Sequence, residues 1–233
     1  MRGFLFGGIM QKQNRTTENV KIMVGMAMFS ALAYAVTFVF RIPVQFLTFD
    51  AKDAVLAIAG FIYGPVAAII MSLVPALIEF ITISDTGFWG FFMNFVSSAV
   101  FSGTAALIYK YKRSLNGAIC ALFTSVAATV GAMALMNILI TPIYMKQPLE
   151  VVLSLLPTLL LPFNLAKSLM NAGIVMYLYK PVSLAMKRAR LIEGNADLRF
   201  TRQTVIMLSV GAATLAAAIV ILFLVLGGQI EFF

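Results

Sequence analysis

Residues 159–180 read LLLPFNLAKSLMNAGIVMYLYK, a run of membrane-crossing length that carries an asparagine, Asn164, and a lysine, Lys167, three positions apart. On a helix, residues at i and i+3 project from one face. Pro162 stands just before them, in the first turn, where a proline disrupts little. An ammonium group in hydrocarbon costs about 3 kcal/mol even on a lenient insertion scale. Lys167 therefore needs a partner, a water-filled cavity or a ligand, unless its stem snorkels to the nearby headgroups.

The rest of the chain agrees with a membrane setting. Of 233 residues, 61% are hydrophobic and 11% charged, far from the balance of a soluble domain. The net charge of +8 reads first as topology, and no nucleic-acid partner is expected. Arg2, Lys12, Arg15 and Lys21 precede the first span, Lys110, Lys112 and Arg113 follow the fourth, and Lys187, Arg188, Arg190, Arg199 and Arg202 follow the sixth. These segments belong in the cytoplasm, with the amino terminus inside and the carboxyl terminus outside if a seventh helix spans. Segment 1–19 has no small-residue cleavage site, so the first span is expected to be its own insertion signal.

Apolar length divides the chain. Val20–Phe40 is one span. Lys52–Ile83 is too long for one and is cut at Tyr63-Gly64-Pro65, giving a short helix and then a full one. Phe88–Tyr109, Asn116–Tyr144 and Leu159–Met186 complete six, and Thr204–Leu226 is a seventh beyond a charged linker. The expected fold is an all-α polytopic membrane protein, with a six-helix transmembrane bundle over 20–186, a linker at 187–203 and one additional C-terminal transmembrane helix at 204–226. Segments 41–51, 84–87 and 145–157 are its outward loops.

Other polar residues share the depth of the Asn164/Lys167 pair. Asn137, in ALMNILITPIY, offers donors and an acceptor where lysine only donates, so the three suit a planar heterocycle edged with carbonyls and N–H groups. Plain interhelical hydrogen bonding is the alternative for Asn137, and Asn94 reads either way. Glu79, in PALIEF, is the acid well inside a span: either the counter-charge for Lys167 or a surface group near Asp85. Pro75 reads as a kink. In the first outward loop, RIPVQFLTFDAKD, either Asp50 or Asp53 is expected to cap the second helix, while Leu47 and Thr48 belong to an apolar lid. Cys120, the single cysteine, reads as a small buried hydrophobe. Ala27, Ala31 and Ala35 draw a small-residue stripe that admits close helix approach or plain internal packing.

With these residues in view, the chain resembles the substrate-binding subunits, or S components, of energy-coupling-factor vitamin transporters, specifically their riboflavin-binding members. The likeness covers about residues 20–186 and rests on MAMFSALAYA, FLTFDAKDAVLAIAGFIYGPVAAII, NILITPIY and, most specifically, PFNLAKS. It implies a bundle that binds riboflavin from outside as substrate, without a cofactor and without hydrolysing ATP. Flavin mononucleotide is left open as a second ligand. It further implies docking through the alanine stripe on a transmembrane coupling subunit that carries two ATPase subunits. Carried over by position, Asn137, Asn164 and Lys167 would contact the isoalloxazine ring, and Leu47 and Thr48 would contact the ligand from the loop. Two features depart from the pattern: Glu79 stands where a basic or amide residue is expected, and the seventh helix lies outside the usual six.

Other functions fit less well. The same fold for folate, pantothenate or thiamine would be expected to differ at Asn164 and Lys167. An intramembrane enzyme is disfavoured by the absence of histidine, of an HExxH-type metal motif and of an acid cluster that could hold Mg²⁺ or Zn²⁺, and without a P-loop any ATP coupling must come from partners. Autonomous secondary transport lacks the internal repeats common in such carriers.

Overall fold

The computed structural model describes residues 2–83, 86–188 and 202–226. The first helix, α1, runs from Arg2 to Val39, with its membrane-length apolar part at Glu18–Val39. It therefore begins well before Val20. Segment 41–51 is not an open loop: Ile42–Val44 (β1) and Leu47–Phe49 (β2) pair antiparallel in a two-residue hairpin. Gln45 takes the positive φ of 54° that such a tight turn asks of its first central residue.

Helices α2 (Lys52–Tyr63) and α3 (Pro65–Thr82) break where the sequence places the cut. Pro65 opens α3, where its missing N–H has no partner to lose, and Gly64 before it adopts a φ of 94° that a side chain would resist. Every residue from Lys52 to Phe61 is buried, and α2 touches α1, α3, α4 and α7. At 12 residues it is too short to cross a bilayer, so it serves as the bundle's inner post.

Helices α4 (Gly87–Tyr111) and α5 (Leu115–Met145) follow. Ser114 caps α5 by accepting from the Gly117 N–H at 3.0 Å. Segment 145–157, expected as an outward loop, holds a further helix, α6 (Leu149–Leu155), which runs through a π turn at Leu156–Leu160 into α7 (Leu161–Arg188). Prolines explain the π turn. Pro162 cannot donate to the Thr158 carbonyl, and the Leu161 N–H bonds Leu156 instead, one residue wider than in an α-helix.

The seventh helix of the sequence reading is α8 (Arg202–Leu226), and it is not set apart from the bundle. It lies along α7 in the opposite direction. Lys180 Nζ donates to Thr204 Oγ1 at 2.9 Å near one end, while Ile221, Leu222 and Val225 pack beside Leu159 and Phe163 near the other. Gly173 and Gly211 let the two backbones meet: a Cβ on Gly173 would lie 3.1 Å from the Gly211 carbonyl oxygen. Linker residues 189–201 and Asp85 fall outside the described residues.

Among the described residues, six helices are long and apolar enough to span: Glu18–Val39, Pro65–Thr82, Gly87–Tyr111, Leu115–Met145, Leu149–Val182 and Arg202–Val225. Large apolar side chains such as Leu135, Leu139 and Phe223 face outward from them, as lipid contact requires. Cys120, expected in the core, lies on this outer face of α5. The core joins Phe29 and Ala33 of α1, Ala54 to Ala59 and Phe61 of the inner post, and Met71, Phe101, Leu122 and Val175. A smaller cluster of Val44, Phe49, Leu159, Phe163 and Ala166 seats the hairpin on α7.

Candidate functional site

Beneath the hairpin, at the end of the bundle remote from Lys110 and Arg113, the helices enclose a cavity of about 240 Å³. Its roof is the hairpin stretch Gln45–Thr48. Phe80, Phe91, Tyr144 and Phe163 form its aromatic walls. Glu79 of α3, Asn94 of α4, Thr141 of α5, and Asn164 and Lys167 of α7 supply polar groups. Phe46 leans on Tyr144 with centroids 6.3 Å apart, and Phe49 meets Phe163 edge-on at 6.0 Å, so the roof rests on α5 and α7.

Lys167 does not snorkel. It is 7% exposed, and its Nζ donates to Asp50 Oδ2 at 2.7 Å and to the Thr48 carbonyl at 3.1 Å. Its counter-charge is thus Asp50 rather than Glu79. An ammonium has three donors, so one is left for the cavity that Lys167 lines. Glu79 pairs instead with Lys52, whose Nζ donates at 2.8 Å to each of its oxygens and at 2.8 Å to Asn94 Oδ1. Lys52 also stands 3.8 Å from Asp50, so Glu79, Lys52, Asp50 and Lys167 form a chain of alternating charge under the cavity.

Asp50 caps α2 in part, its Oδ1 accepting from the Lys52 N–H at 3.3 Å, and Asp53 lies inside the first turn. The N-cap position of α2 belongs to Ala51, with no side-chain cap bond, and the Ala54 N–H is bonded by Asn171 Oδ1 of α7 at 2.7 Å. Asn171 Nδ2 donates in turn to the Asp50 carbonyl at 3.0 Å, so α7 adds a second cap from across the bundle. Asp53 accepts from the Ser98 hydroxyl. Burial alone would push the Asp50 carboxyl up, but the ammonium groups of Lys167 and Lys52 outweigh it and hold the carboxyl below the ordinary carboxylate range.

The structure gathers most of the residues singled out from the sequence. Leu47, Thr48, Asn164, Lys167, Glu79 and Asn94 all line the one cavity. Asn137 does not. It is fully buried, its Nδ2 donating to the Met133 carbonyl at 2.7 Å and its Oδ1 accepting from Thr141 at 2.9 Å, so Thr141, a turn further on, faces the cavity in its place. Ala27, Ala31 and Ala35 are exposed along the outer side of α1, away from the cavity.

The arrangement also has relatives. The family model for the substrate-specific component of ECF transporters matches residues 21–183. The riboflavin transporter RibU of Staphylococcus aureus (strain TCH60) is 32% identical over 182 residues, covering 72% of this chain and 93% of that protein. A solved S component of a bacterial ECF transporter superposes with a TM-score of 0.62 at 31% identity, over 73% of this chain and 99% of that one. The chain belongs to the substrate-specific components of ECF transporters.

As an S component it is a multi-pass membrane protein of a transport family rather than an enzyme family. The family match ends before α8. Sequence reading missed Lys52 and Asn171 as parts of the site's support. The signal for Lys52 was present: FDAKDA puts three charges at the mouth of a helix that is otherwise apolar all round.

Proposed function

We propose that this S component is the high-affinity riboflavin-binding subunit of an ATP-driven vitamin importer. The observation that carries the reading is the cavity itself, where aromatic walls enclose spare donors on Lys167, Asn164 and Asn94 and an acceptor on Glu79. Riboflavin is a flat tricycle with two ring carbonyls, acceptor ring nitrogens, one ring N–H and a chain of hydroxyls. Donors and an acceptor between aromatic faces match that pattern. The 32% identity to a riboflavin transporter supports the choice of vitamin. In this reading Leu47 and Thr48 contact the ligand from the hairpin, and Asn137 supports Thr141 from behind.

The basic segments put the amino terminus in the cytoplasm, so the cavity opens to the outside and α8 ends outside. ATP hydrolysis falls to two ATPase subunits, reached through a transmembrane coupling subunit. The exposed alanine stripe of α1 is its docking line, because small residues let a partner backbone come close. The capture unit is 20–186, with α8 an addition to it.

Quenching of flavin fluorescence by the purified protein tests the reading. Saturable quenching by riboflavin that survives excess folate, thiamine and pantothenate is the expected result. Binding of one of those vitamins without riboflavin would overturn it, and parallel titration with flavin mononucleotide decides whether the phosphate ester is accepted.

A further inference from the structure

Lys52 has no exposed surface at all, which is rare for a lysine unless it is paired. Its three donors all go to two residues: Glu79 Oε1 and Oε2 and Asn94 Oδ1, each at 2.8 Å. Asn94 Nδ2 donates back to Glu79 Oε2 at 2.5 Å and closes a triangle between α2, α3 and α4. Glu79 and Asn94 line the cavity, whereas Lys52 does not. Within the triangle the Asn94 amide keeps one N–H and the Glu79 carboxylate keeps an acceptor position. The Lys52 ammonium, by holding Asn94 Oδ1, also fixes which edge of that amide donates.

We propose that Lys52 is a positioning residue for the ligand. It holds Glu79 as an acceptor and Asn94 as the adjacent donor, so that this wall selects a ligand edge with an N–H beside a carbonyl. The imide edge of a flavin ring has that pattern. The inference rests on the riboflavin reading above and adds the determinant of its orientation. A carboxylate freed from Lys52 loses its fixed geometry, and the Asn94 amide that donates to it shifts with it, so the effect of Lys52 passes through Glu79.

The experiment compares riboflavin with a flavin methylated at the ring N–H, each titrated by fluorescence quenching against the unaltered chain, Lys52→Met, Glu79→Gln and the double variant. The unaltered chain is expected to prefer riboflavin by about tenfold or more, the cost of leaving a buried acceptor unmatched. In Lys52→Met that preference should fall toward equality, and the double variant should match Glu79→Gln alone. A purely structural lysine would weaken both ligands alike, so an unchanged preference in Lys52→Met overturns the proposal, as does a double variant that multiplies the two single losses. Where Lys52→Met fails to fold, Lys52→Arg keeps the charge and carries the test: its longer guanidinium displaces Glu79, and an unchanged preference overturns the proposal. No riboflavin binding by the unaltered chain would overturn the functional reading together with this one. Binding with an unchanged preference overturns this one alone.

Discussion

Lys167 uses two of its three donors on the protein itself, at Asp50 and Thr48, and keeps the third for the cavity. The same ammonium thus pins the exit of the hairpin and faces the cavity. Asn164 behaves alike on a smaller scale, giving one N–H to the Leu160 carbonyl at 2.8 Å and keeping the rest of its amide for the cavity. Removing a donor from a desolvated ligand carbonyl costs about 1–3 kcal/mol. Asn164→Leu should therefore weaken riboflavin binding by about tenfold. Lys167→Met should weaken it further, because it also strands Asp50, and removing one partner of a buried pair costs about 3–5 kcal/mol. Fluorescence titration reads both, and native affinity in both variants would remove these residues from the site. Asp50→Asn in the Lys167→Met background should recover part of the lost thermal stability, since it removes the unpaired charge.

Among the elements, α8 is the one whose role the linear sequence misreads. Its charged linker suggests an appendage, yet Met207 and Ala218 are buried and the glycine crossing seats it tightly on α7. Lipid replaces apolar contact but not close backbone packing or the Lys180–Thr204 hydrogen bond. A chain ending at Lys187 should therefore still insert and still bind riboflavin, because no described α8 residue lines the cavity. Its melting temperature in detergent should fall by about 2–8 °C, as a loss of about 1–2 kcal/mol implies for a chain of this size. Loss of binding in a well-folded truncation would mean that α8 holds the Leu159–Phe163 end of α7, and with it Asn164, in place.

At the scale of the whole molecule, the proposed ligand site and the proposed docking line occupy separate faces. No described α1 residue lines the cavity, and Ala27, Ala31 and Ala35 look outward. Ala31→Trp would push a docked helix away and forfeit its packing without reaching the cavity. The expected outcome is near-native riboflavin affinity in detergent, with loss of co-purification with the coupling subunit and loss of riboflavin uptake by cells. Uptake by the unaltered chain alone in liposomes, with no ATPase present, would remove the need for such a partner.

By itself the sequence determined the membrane setting, the number of apolar segments and the break at Gly64-Pro65, because hydrophobic length and proline act locally and need no tertiary partner. It also marked the polar residues that matter, since an asparagine or lysine among leucines stands out wherever it ends up. The pairing of those residues was decided only in three dimensions. Lys167 had Glu79 and Asp50 within conceivable reach, and the choice fell to Asp50 because α2, buried on every side, carries Lys52 to Glu79 and leaves Asp50 beside α7. Asn137 shows the same limit: depth along a helix can be counted in residues, but a single turn decides that Thr141 lines the cavity while the Asn137 amide bonds Met133 and Thr141 within α5 itself. The hairpin, too, took shape only against Phe163 and Tyr144, since three-residue strands have too few ladder bonds to stand alone.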